Sequence, residues 1–346
     1  MVYETHIIFS MAIIDYIQRQ IFVVLNIVFL CSLAALFGII TNVINLLVFY
    51  KQGLKSSMNI TFFAMAISDL CGMLSQELFS IFFNPLFEAA DLPLVPSEFQ
   101  YMIAGIPRVA FSKITCLITV YATLERCLCI AFPLHIKGMI TARRTTFVMA
   151  CIYTMTILSF SPLYMKTSIN WKFHSDRNKT LLGLVFASGS QKLTDIVYVL
   201  QAFLGLSSFV AVVIFTMILI RQLGQKGAWR KTAIMSLDKS QQMSNRDRKT
   251  MTMIILIATI LIICYTPSVI LYCVTIIEPE FSIAGAYNNL FFALWSFGIL
   301  FETINSSVNI FLYIKMSTQY RQTFYKLVSC LKTITENSGN DKVLPG

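Results

Sequence analysis

The chain alternates long apolar runs with short polar linkers. The runs fall near 21–50, 60–84, 102–132, 145–165, 193–220, 251–277 and 287–314. Each suffices to cross a hydrocarbon layer, which takes roughly 20 helical residues at ~1.5 Å apiece, so seven spanning helices are predicted. The linkers differ in charge. Those after the first, third, fifth and seventh runs hold Lys51, Lys55, Arg143, Arg144, Arg246, Arg248 and Lys249, whereas the opposite set holds Glu88, Asp91, Glu98, Glu278 and Glu280. Lys and Arg gather on the cytoplasmic side, which places the amino terminus outside. Beyond the last run, Met316, Tyr320, Phe324 and Leu327 recur at helical spacing among Lys315, Arg321 and Lys326. That pattern predicts a short amphipathic cytoplasmic helix over 315–332 on the membrane surface, then a flexible tail over 333–346. Met1 to Arg19 shows no basic start and no small-residue cleavage site, so the first run is expected to act as signal anchor. Residues 1–346 read as one seven-helix domain.

Composition fits an all-α membrane protein built as a seven-transmembrane helix bundle. Hydrophobic residues make up 56% and charged residues 13%, with mean hydropathy +0.70, well outside the range of soluble domains. The net charge of +10 follows the linker bias and implies contact with anionic membrane lipid rather than nucleic acid. Of nine cysteines, none lies in an extracellular linker, so no disulfide framework is expected. Cys330, just past the amphipathic helix, is a palmitoylation candidate, with an unmodified tail cysteine the even alternative. His6, His135 and His174 have no metal-ligand spacing, and GxSxG and HExxH are absent, which argues against an enzyme and against a cofactor. Asn178-Lys-Thr180 is a glycosylation sequon in an outer linker.

Polar groups inside the spans point to function. The third run carries Arg108 and Lys113 in its outer part and Glu125-Arg126 near its inner end. Ionisable groups in hydrocarbon are costly and face a bundle interior, a cavity or a partner; for Arg126 alone, snorkelling to the interface is the plainer alternative. Asp69 needs donors or a cation, and Asn42, Asn45, Thr115, Asn305, Ser306 and Asn309 on other runs offer them.

The motifs Gly38-x-x-x-Asn42, Ala64-x-x-x-x-Asp69, Glu125-Arg126-Cys127, Cys264-Tyr265-Thr266-Pro267 and Asn309-Ile-Phe-Leu-Tyr313, in this order, resemble the signature of rhodopsin-like (class A) G-protein-coupled receptors. The phrases FGIITNVINLLVF, ERCLCIAFPL and EFSIAGAYNNLFFALWSF resemble, more narrowly, gastropod mollusc chemosensory receptors. The resemblance implies that Arg126 is a cytoplasmic switch held by Glu125 and Asp247. It implies that the sixth helix swings outward, hinged at Pro267, to engage a heterotrimeric G protein, and that Tyr313 completes the active arrangement. Asp69 with Asn42, Thr115, Asn305, Ser306 and Asn309 would form a sodium and water network. A proline hinge and an arginine between two carboxylates suit a two-state element.

The departures are also specific. Tyr101 stands where the family has a disulfide cysteine, and the linker 166–192 has no Cys, so that linker must be held by packing or left mobile. Tyr265 and Tyr153 replace tryptophans, Ile310 a proline and Cys127 a tyrosine, and the fifth span has no proline.

Arg108 lies about five helical turns, ~27 Å, outside Arg126, at the position that faces ligand in the family. A guanidinium favours carboxylate or phosphate. Glu302 on the seventh span, with Glu77, Lys113 and Tyr265, would complete a pocket for an amino-acid-like, anionic or zwitterionic extracellular ligand. The plainer reading pairs Arg108 with Glu302, because buried charges need partners. A neuropeptide receptor of the same fold is the alternative, its acidic outer rim suiting a basic peptide; a transporter or channel fits less well, for want of inverted repeats.

Overall fold

The computed structural model describes residues 14–132, 138, 140–174, 178–187, 189, 191–232, 245–283 and 285–340, the side chains at 191, 226–232, 245–247 and 330–340 falling outside that description. Among the described residues, seven helices are long and apolar enough to span a membrane. They are α1 (Tyr16–Gln52), α2 (Ser57–Phe82), α3 (Pro96–Ala131), α4 (Ala142–Met165), α5 (Gln191–Thr232), α6 (Asn245–Ile277) and α7 (Asn288–Met316).

Local chemistry sets several ends. Asp15 caps α1 in a reciprocal box with Gln18, the two side chain–backbone bonds measuring 2.7 and 3.1 Å, which satisfies two otherwise orphaned donors. Within α1 the stretch Val24–Cys31 is π-helical, as is Tyr101–Gly105 in α3. Helix α7 breaks at Val308, between Ser307 and Asn309, although Ile310 occupies the place of the family's proline. Pro267 lies inside α6.

Helix α3 packs against α2, α4, α5 and α6, while α7 packs against α1, α2 and α6. The inner half of the bundle holds the largest apolar core, including Met65, Ile114, Ile118, Leu219, Ile254 and Tyr313. Outward faces stay apolar and exposed, as at Phe147, Met155, Ile263 and Ile270. Such a surface suits lipid and would be a liability in water.

Two regions depart from expectation. The linker after α4 is a β-hairpin: β1 (Thr167–His174) pairs antiparallel with β2 (Lys179–Phe186). Asn178, exposed, closes its turn at φ 48°, a left-handed conformation that asparagine tolerates better than most residues. The linker is thus neither loose nor held by side-chain packing alone. Leu182 bridges to the connection before α3, its N–H donating to Pro93 O at 2.8 Å and its carbonyl accepting from Val95 N at 3.0 Å. Ion pairs Lys172–Glu98 at 3.7 Å and Lys179–Asp91 at 2.7 Å reinforce the tie. Where the family has a cystine, Tyr101 shares a hydrogen bond with Tyr198 on α5.

The second departure is the tail. Helix α8 (Thr318–Asn340) carries the amphipathic segment past its expected end at 332, because no proline interrupts the ladder there. Residues 341–346 lie outside the described residues.

Candidate functional site

The outer half of the bundle interior is organised by one carboxylate. Glu302 on α7 accepts from Arg108 Nη1 on α3 at 3.1 Å through Oε2 and from Ser268 Oγ on α6 at 2.6 Å through Oε1. Ser112 Oγ stands 3.4 Å from the same Oε2 and 2.7 Å from the Tyr265 hydroxyl, which also lies 3.2 Å from Ser112 O. One acid therefore ties together α3, α6 and α7. Both charged side chains are nearly buried, 11% and 12% exposed, and a buried pair of this kind holds only with further hydrogen bonds. Gly298 makes the α6–α7 approach workable, since a Cβ there would stand 2.9 Å from Ser268 Oγ. The Arg108 guanidinium also lies 5.5 Å from the Phe79 ring, a cation–π contact.

Beneath this pair is a chamber of about 20 Å³ lined by Gln76, Arg108, Ser112, Thr115, Glu302 and Ser306. That is room for about one water molecule. The same Thr115 donates to Asp69 Oδ1 at 2.8 Å, Asn309 Nδ2 donates to Asp69 Oδ2 at 2.9 Å, and Ser306 joins them. Asp69 is buried, and among the described residues no cation pairs with it. Asn305 is buried nearby in α7. Asn42 donates to Ser306 O and Gly38 O, both at 2.9 Å, and its Oδ1 accepts from Asn45 at 3.2 Å. Asn45 in turn accepts from Tyr320 of α8 at 2.6 Å. Burial pushes the Tyr320 phenol pKa up, so it stays a donor.

At the inner end Arg126 pairs with Glu125, the residue beside it. The other Glu125 oxygen accepts from Ser57 Oγ on α2 at 2.7 Å, and Ser57 is 2.7 Å from Thr145 Oγ1 on α4, itself 3.0 Å from the Tyr121 hydroxyl. The Asp247 side chain lies outside the described residues, as does that of Cys330. Tyr313 is buried in a ring cluster with Phe49, Phe62 and Tyr320 at centroid distances of 5.1–5.4 Å. Cys127 donates to Phe215 O on α5 at 3.3 Å, and Tyr153 donates to Ala64 O on α2 at 2.7 Å.

The structure thus joins Arg108, Glu302 and Tyr265 and leaves two ligand candidates elsewhere. Lys113 donates to Gln201 O at 2.6 Å and Gln201 Oε1 at 2.7 Å, tying α3 to α5. Glu77 accepts from Ser32 at 2.7 Å in the α1–α2 seam. Ser112, Ser268, Gln201 and Ser57 escaped the sequence reading, because serine and glutamine in a span are common and their partners lie on other helices.

The chain matches the family described as serpentine type 7TM GPCR chemoreceptor Srw over residues 27–331. It is similar to the growth hormone secretagogue receptor type 1 of Mus musculus, 25% identical over 304 residues that cover 86% of this chain and 79% of that protein. The Sus scrofa protein of the same name is 24% identical over 306 residues, with the same coverage, and the Homo sapiens one 24% over 304. Seven spanning helices and this family match make the protein a multi-pass membrane receptor, normally of the plasma membrane, and not an enzyme. The chain belongs to the Srw family of seven-transmembrane G-protein-coupled chemoreceptors.

Proposed function

We propose that this chemoreceptor binds a small anionic or zwitterionic extracellular ligand, amino-acid-like in its charges, and that binding opens the Arg108–Glu302 pair. One observation carries the reading: Glu302 holds Arg108 and Ser268 at once, and Ser268 follows the Pro267 hinge of α6 directly. A ligand carboxylate that claims Arg108 weakens the grip on Glu302, and with it the bond that holds α6 inward. Outward movement of α6 then exposes Arg126 to a heterotrimeric G protein. Asp69, Thr115, Ser306 and Asn309 offer a buried carboxylate with neutral oxygen donors, a set that suits a sodium ion, which would supply the countercharge that Asp69 lacks among the described residues. Asn178, exposed on the outer hairpin, is the site for an N-linked glycan, and Cys330 for a palmitoyl chain.

A second reading, a peptide or hormone ligand, draws on the likeness to growth hormone secretagogue receptors and on the acidic outer rim.

The test is a second-messenger readout in cells that express wild type, Arg108→Ala, Glu302→Gln and Asp247→Ala at equal surface levels. Glu302→Gln and Asp247→Ala are expected to raise the basal signal, and an amino-acid panel response is expected to vanish in Arg108→Ala. A panel response of unchanged potency in Arg108→Ala would rule out this ligand reading, and a response to cationic peptides alone would favour the second.

A further inference from the structure

Above the Arg108–Glu302 pair the outer end of the bundle opens into a cleft of about 800 Å³. Small-molecule sites occupy ~300–1,000 Å³. Its walls include Arg19 and Val23 of α1, Phe83 at the end of α2, Gln100 of α3, and Lys179 and Leu181 of the hairpin. Two of these residues carry a buried polar atom with no partner among the described residues: Arg19 Nε, a donor, and Gln100 Oε1, an acceptor. Aromatic rings back the Arg19 guanidinium, 4.1 Å from the Phe292 centroid and 5.8 Å from that of Tyr16. They orient the cation without neutralising it, and no carboxylate pairs with it among the described residues.

The backbone on both walls is unusual. Val23 is followed by the π-helical stretch Val24–Cys31, and Gln100 by Tyr101–Gly105. Such wide turns are rare and gather at functional sites.

Glu88 and Asp91 line the same cleft, each engaged by a partner of its own. A donor cation and an amide acceptor on one cleft, with Phe83 and Leu181 among its walls, match a ligand that brings a carboxylate and an N–H together on an apolar body. The geometry points to this cleft as a binding site for amino-acid carboxylates with an apolar side chain. The carboxylate meets Arg19, the N–H meets Gln100, and the side chain lies on Phe83 and Leu181. The site has a route inward. The Phe83 ring lies tilted against Phe79 with centroids 4.6 Å apart, and the Phe79 ring centroid lies 5.5 Å from the Arg108 guanidinium. A ligand that displaces Phe83 therefore shifts the surface on which Arg108 rests. This coupling rests on the reading that an extracellular ligand controls the Arg108–Glu302 pair.

The test is calorimetric titration of the purified full-length receptor in detergent with phenylalanine, N-acetylphenylalanine and the carboxamide of each. The acids are expected to bind, with the amides about 10- to 100-fold weaker, the cost of one hydrogen bond to a charged group. Arg19→Ala is expected to bring the same loss for the acids. Ala89→Trp, which fills the cleft from an exposed rim position, is expected to abolish binding without touching the core. Equal affinity for acid and amide, or no binding of either acid to wild type, overturns the assignment. Binding that survives Arg19→Ala and Ala89→Trp but fails in Arg108→Ala also overturns it, while leaving the proposed function standing. Binding lost in both cleft variants, with no second-messenger response to the acids in cells, keeps the cleft as a site and removes its coupling to signalling.

Discussion

The two arginine–carboxylate pairs of α3 differ in which backbones they join. Arg108 reaches Glu302 on α7, and the far oxygen of that acid holds Ser268 on α6. Arg126 pairs with its own neighbour, and the far oxygen of Glu125 goes to Ser57 on α2 and on to Thr145 on α4. The outer pair resists parting of α6 and α7 from α3. The inner pair braces α2 and α4 against α3 and, among the described residues, leaves α6 out. Charge alone does not make a switch; the helices at its two ends decide what its opening releases.

The comparison breaks most sharply at Glu302. Glu302→Ala strands Arg108 and is expected to cost roughly 3–5 kcal/mol of stability, whereas the double replacement Arg108→Met with Glu302→Leu is expected to recover most or all of it. Thermal melting of the purified receptor checks both. Next come the two serines. Ser268→Ala and Ser57→Ala each remove a hydrogen bond to a carboxylate, about 1.5–3 kcal/mol. Hydrogen exchange should separate them, with faster exchange in α6 for the first and unchanged α6 for the second. If both variants loosen α6, the distinction between the pairs fails. Tyr320→Phe keeps the ring cluster but takes the donor from Asn45, and about 1 kcal/mol is expected, seen as lost protection in α8 with both pairs intact. The smallest effect belongs to Lys179→Ala. Its bond to Asp91 is largely exposed, 54% and 82% at the two side chains, and such pairs contribute ~0–1 kcal/mol; melting should move by little at low salt and by nothing measurable at high salt.

Much of this was legible in one dimension. Apolar run length gave the seven spans. The cost of burying Asp69 pointed to Asn42, Asn45, Thr115, Asn305, Ser306 and Asn309 as its solvation; Thr115, Ser306 and Asn309 reach it, while Asn42 and Asn45 bond to Gly38 O, Ser306 O and each other. The pairing of Arg108 with Glu302 was the plainer of two sequence readings, and the geometry has them together; the ligand reading now depends on their opening. What stayed hidden depends on contacts between helices. Ser268 and Ser112 read as ordinary span residues until α6 and α3 are placed beside Glu302. Lys113 read as a ligand group because no sequence rule places Gln201 of α5 within 2.7 Å of it. The hairpin was missed because its strands gain their order from Pro93 and Val95 of a different linker and from Glu98 at the start of α3. The π-helical stretches stayed hidden because Val24–Cys31 and Tyr101–Gly105 are apolar almost throughout, so the phase shift of a wider turn has no polar face to displace.

The hairpin that lines the outer cleft is fastened by two backbone bonds to Pro93 and Val95, by the Leu184 N–H donating to Glu98 Oε2, and by two ion pairs, and the described cysteines are all free. A hairpin held in this way answers to a different chemistry from a cystine-braced one. Reducing agents have nothing there to cut, so the receptor should keep its outer architecture in dithiothreitol. Ionic strength acts on the hairpin's two ion pairs, exposed contacts that contribute ~0–1 kcal/mol each and weaken as salt rises, while the backbone bonds are unaffected. A receptor built this way carries, in the fastening of its own outer hairpin, a small response to the ionic strength of the fluid outside the cell.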